Sequence, residues 1–118
     1  NRYPASKQAS EESRTDEEYA VIIITGAIVA RPDTIDELRA LSLEHVRRSQ
    51  LEPGCLSHAV HIDAENPLRL FFFETWLDRA AVTAHFAVPE SGAFVAAAAK
   101  LAAAQVGIQL YEAEPVTQ

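Results

Sequence analysis

The chain has 118 residues, 48% of them hydrophobic and 23% charged, with a formal net charge of −7 and one cysteine. That is the size and composition of one globular domain. An acidic chain whose only basic pair is Arg47-Arg48 is a poor partner for nucleic acid, and one thiol excludes an internal disulfide or a multi-thiolate metal site. No apolar run reaches the roughly 18 residues needed to span a membrane. Cytoplasm is the default location, although a chain beginning at Asn1 leaves a removed export signal open.

Residues 1–18 carry almost no large apolar side chain and read as a polar arm ahead of a domain spanning 19–114, with 115–118 as a tail. Tyr19 to Ala30 is β-branched and apolar on both alternating faces, as in a strand covered on both sides, and Gly26 in its middle suggests a bulge. Thr34 and Glu37 have capping-box spacing at the start of a helix that Pro53-Gly54 ends. Ile35, Leu38, Leu41, His45 and Val46 form its buried stripe, while Arg47 and Arg48 fall on the wet side.

Cys55 to Asp63 is a second strand, with His58 on one face and His61 on the other. After an Asn66-Pro67 turn comes the third, Leu68 to Leu77. Parity puts Leu70, Phe72, Glu74 and Trp76 on one face and Phe71, Phe73 and Leu77 on the other. Asp78 caps a short helix carrying His85, and Pro89 opens an alanine-rich helix that runs through Ala102. Gly107 to Ala113 is a last strand. The order β-α-β-β-α(α)-β is the α+β, ferredoxin-like split βαβ: a four-stranded antiparallel sheet with helices on one face. Strands apolar on both sides then call for a second copy of the chain against the open face, a homodimer.

The chemistry-bearing residues each have two readings. Trp76 is a flat wall for a substrate or a plug in the sheet–helix core. His85 is a proton acceptor or a helix histidine bonded to backbone. Glu74, on so apolar a strand, needs a partner, with an arginine or His85 as candidates. His45, His58 and His61 line a pocket or serve as rim and core histidines. With His58 and His61 on opposite faces, no metal-ligand spacing is evident, and Cys55 reads as a small buried side chain.

Glu52-Pro53-Gly54-Cys55-Leu56 resembles the EPGCL motif of the antibiotic biosynthesis monooxygenase domain family. Phe73-Glu74-Thr75-Trp76, followed by Asp78, Ala80 and His85, resembles the same family's third strand and its exit. The resemblance runs from Tyr19 to Glu112 and implies a dimeric α+β barrel of two ferredoxin-like subunits. Members include cofactor-free oxygenases of quinols, anthrones and polycyclic phenols, haem-degrading enzymes, and isomerases of small phosphorylated signalling molecules. It implies a cofactor-independent monooxygenase that takes a small electron-rich aromatic and O2. His85 would then be the proton acceptor, Glu74 its orienter, and Trp76, Phe71 and Phe73 the wall. No glycine-rich nucleotide loop is present, so no cofactor is expected. The alternatives are a non-catalytic dimeric binder or stress-related protein on the same fold and, behind it, haem degradation. The haem-degrading relatives carry an asparagine on the first strand that YAVIIITGAIVA lacks.

Overall fold

The computed structural model describes residues 20–117, so the arm and Tyr19 lie outside the described residues. Its elements are β1 (Val21–Ala30), α1 (Ile35–Ser49), β2 (Cys55–Asp63), β3 (Asn66–Trp76), α2 (Arg79–Ala87), α3 (Pro89–Leu101) and β4 (Ala102–Ala113). The four strands form one antiparallel sheet in the order β2-β3-β1-β4. This is the expected split βαβ arrangement. Among the described residues no helix is long and apolar enough to cross a membrane.

The helices cover one face. Ile28, Ala30, Leu70 and Phe72 from the sheet pack with Leu38 and Val46 of α1 and Ala98 of α3. Ile22, Ile24 and Trp76 pack with Val82 of α2. The cross-strand register sets the faces: Ile24 stands opposite Glu74 and Ile22 opposite Trp76, while Ile23 stands opposite Thr75 and Thr25 opposite Phe73. Residues directly opposite share a side. Glu74 and Trp76 therefore face the helices, and Phe73, 37% exposed, faces away.

Three local expectations change. The Thr34 hydroxyl does not close a capping box; it donates to the Leu101 carbonyl at 2.7 Å and ties the start of α1 to the end of α3. Arg48 leaves the wet side and turns inward. β4 begins at Ala102, five residues before the expected start, because its backbone pairs with β1 from Ala30 onward. Strand pairing there outweighs the helical preference of the alanines. Gly26 does lie at a bulge, where the β1–β4 register slips between Thr25 and Ala27. Asp78 caps α2 as expected, its carboxylate accepting from the Ala81 N–H at 2.9 Å.

Candidate functional site

Between the helical layer and β1, β3 and β4 lies a cavity of about 230 Å3. Its apolar walls include Ile24, Ile28 and Phe72 from the sheet, Phe86 from α2 and Phe94 from α3; Glu74, His45 and His85 supply its polar side. A dry cavity of about 150 Å3 already takes a benzene ring, so this larger, partly open space accepts a small aromatic molecule.

Each polar group is held by chain-local causes. Gly54 has φ +83, which suits glycine, and a Cβ there would come within 2.4 Å of the Ala81 Cβ. The loop from α1 to β2 can therefore lie flat on the start of α2, where the Leu77 N–H donates to the Gly54 carbonyl at 2.8 Å. That seating brings Glu52 across to α2, and His85 Nδ1 lies 2.9 Å from Glu52 Oε1. A carboxylate accepts, so Nδ1 carries the hydrogen and the lone pair of neutral His85 sits on Nε2. His85 Nε2 lies 3.9 Å from Glu74 Oε1.

Glu74 is buried beside His58, whose Nε2 is 3.2 Å from Glu74 Oε1, and it accepts a hydrogen bond from Trp76 Nε1 at 2.9 Å. Burial alone would raise the Glu74 pKa. Contact with His58, then the Trp76 N–H and the field of His85, outweigh it and hold the group below the usual carboxylate value. The His58–Glu74 approach is close, but the N–H is not aimed along it, so neither ring nitrogen of His58 makes a directed hydrogen bond among the described residues.

His45 stacks face to face on Phe94 with ring centroids 4.3 Å apart, and Arg48 Nη2 donates to its Nδ1 at 2.9 Å. Burial first, then the neighbouring His58, His85 and Arg48, push its pKa down to about 3, with Glu74 pulling the other way. His45 is thus neutral near pH 7, and with Nδ1 accepting from Arg48 its hydrogen is on Nε2.

The fold brings Glu74, His85 and His45 to the cavity, with His58 and Trp76 directly behind them. Trp76 is fully buried and lies against His85, centroids 4.5 Å apart, so it backs the imidazole and steers Glu74 rather than forming the wall. Phe71, Phe73 and His61 are not cavity residues. They alternate with Leu70, Phe72 and Val60 and so fall on the opposite side of the sheet, which corrects their assignment to substrate binding. The aromatic wall is Phe72, Phe86 and Phe94 instead. His58 and His61 do fall on opposite faces, but His45, His58 and His85 converge, although 40 residues separate the first from the last. Sequence reasoning missed Glu52 as a site residue, although it opens the quoted EPGCL run. It missed Phe94 and Arg48 as well, which only the packing of α1 against α3 discloses.

The α+β fold, with its small apolar cavity and a carboxylate–imidazole pair on the polar side, is of the ferredoxin-like class. The sequence model described as antibiotic biosynthesis monooxygenase matches residues 21–97, and the chain belongs to that family. An uncharacterised protein of Synechocystis, sll1783, is 35% identical over 91 residues, which are 77% of this chain and 62% of that protein's length. Among solved structures, a candidate antibiotic biosynthesis monooxygenase from Deinococcus radiodurans superposes with a TM-score of 0.77 and 26% identity, over 82% of this chain and 96% of that one. Rv0793 from Mycobacterium tuberculosis shares the fold with a TM-score of 0.73 and 23% identity, over 83% and 97% of the two chains.

Proposed function

We propose that this protein is a monooxygenase of small electron-rich aromatics such as quinols or anthrones, with the substrate itself as the source of electrons. The observation that carries the reading is the Glu52–His85 pair at the edge of an apolar cavity. Glu52 holds the Nδ1–H of His85, which leaves Nε2 as the basic atom near the cavity. Family membership supports the reaction class.

In this reading His85 Nε2 takes the acidic hydrogen of the substrate, and the resulting anion passes one electron to O2. The superoxide and the substrate radical combine at carbon to give a peroxide, which loses water. One oxygen atom stays on carbon as a carbonyl; the other leaves as water with two substrate hydrogens. The apolar walls exclude solvent, and the Nε2–H of His45 is a neutral donor suited to a developing oxyanion. The outer sheet face, with Phe73 at 37% and Tyr111 at 48% exposure, supports a sheet-to-sheet homodimer.

The test compares oxygen consumption with thermal-shift binding over one panel of hydroquinones and anthrones. Stoichiometric O2 uptake with carbonyl product is the expected result. Binding without uptake would establish the non-catalytic binder in its place.

A further inference from the structure

The reaction above uses one nitrogen of His85 and leaves His58 outside the chemistry, as a neighbour of Glu74. His58 is 2% exposed, and both of its ring nitrogens lack a directed hydrogen bond. Its Nε2 has the Glu74 carboxylate 3.2 Å away, off the line of the N–H, and its Nδ1 has no partner among the described residues, so the ring sits in a polar cluster whose hydrogen bonds do not satisfy it.

The imidazoles of His58 and His85 both approach the same oxygen of Glu74. Glu74 Oε1 lies 3.2 Å from His58 Nε2 and 3.9 Å from His85 Nε2. Ligand atoms about 2.0–2.1 Å from a tetrahedral ion stand about 3.3 Å from one another. The two observed gaps lie within an ångström of that value. The rings of His45, His58 and His85 form a triangle with centroid separations of 5.2, 5.7 and 5.7 Å, and one nitrogen from each lies within 4.8 Å of the others.

The groups behind these atoms match as well. A histidine that binds a metal usually donates its other N–H to a carboxylate. His85 does so to Glu52, and the Glu74 carboxylate is oriented by the Trp76 N–H. His45 differs. Arg48 donates to its Nδ1, so in this structure its Nε2 bears the hydrogen and offers no lone pair. For His45 to join, Arg48 must swing away, and Arg48 Nε and Glu52 Oε2 are both buried without a partner.

We propose that His58, His85 and Glu74 form a binding site for one first-row divalent transition-metal ion, with Glu52 and Trp76 orienting the ligands and His45 at its margin. Imidazole ligands with a single carboxylate favour zinc, cobalt, nickel or copper over magnesium and calcium. The site requires no substrate. An ion on His85 Nε2 would occupy the lone pair assigned above to proton abstraction, so metal loading and that reaction exclude each other.

The experiment is calorimetric titration of the EDTA-treated full chain with Zn2+, alongside the visible absorption of Co2+. One ion per chain is expected, with Co2+ ligand-field bands that Zn2+ displaces. His58→Asn should weaken binding at least 100-fold, and Glu52→Gln 10- to 100-fold, as losses behind a ligand commonly do. His61→Asn, which removes the exposed histidine on the outer face, should leave affinity unchanged. Circular dichroism checks that His58→Asn is folded, and Glu52→Gln carries the comparison if it is not. No saturable binding to the unmodified chain, or equal affinity in the folded His58→Asn or Glu52→Gln variant, would overturn the site. None of these readouts depends on oxygenase activity, so this proposal and the reaction can fail separately.

Discussion

Acid should unfold this protein through His45. The ring is 6% exposed and faces His58 and Glu74 on the sheet, His85 on α2, Phe94 on α3 and Arg48 on its own helix. Its folded pKa of about 3 lies below the ordinary 6.5. As pH falls below about 6.5 the unfolded chain binds a proton that the folded chain refuses, so stability declines from there and levels off only near pH 3. Each pH unit in that window is worth about 1.4 kcal/mol, which makes about 2 kcal/mol between pH 6.5 and pH 5. Against a total stability of about 5–15 kcal/mol that is a large share. Glu74 adds its own loss at lower pH, where its depressed carboxylate is protonated. The assay is urea unfolding across this range for the unmodified protein and for His45→Gln, whose amide oxygen still accepts from Arg48. The variant should lose about 2 kcal/mol less on going to pH 5. Parallel pH profiles for the two proteins would refute the assignment to His45.

Trp76→Phe removes the N–H that Glu74 accepts and should cost about 1.5–3 kcal/mol in urea unfolding, the range for hydrogen bonds to charged groups. Gly54→Ala meets both the positive φ and the Ala81 side chain, and should destabilise by at least about 1–3 kcal/mol by the same measure. Because the glycine seats Glu52, that variant should also shift the pH profile of oxygen uptake, as should Glu52→Gln. On the outer face, Phe73→Asp places a charge in the proposed subunit contact, and light scattering should report a dimer for the unmodified chain and a monomer for the variant.

Strand parity carried far. The alternation in Leu68–Trp76 was enough to put Glu74 and Trp76 on a common face, and the capping of α2 by Asp78 followed from local chemistry alone. Parity did not say which face met the helices, because β1 and β3 are apolar on both. The aromatic run therefore drew Phe71 and Phe73 into the expected site, while Phe94 reads from its helix only as part of the buried side and not as a cavity wall. The histidine cluster was hidden for a different reason. His45, His58 and His85 come from a helix, a strand and a second helix, so their convergence depends on how α1 and α2 cross the sheet. Glu52 stood in a quoted motif, but its task became visible only with the path that Gly54 permits.

The most direct test of the central claim is oxygen uptake by His85→Ala with a quinol or anthrone that the unmodified protein consumes. Loss of the basic nitrogen should lower turnover by about 100-fold or more while the cavity still binds the substrate. Undiminished uptake in that variant would contradict the assignment of His85 as the proton acceptor, and with it the account of the site.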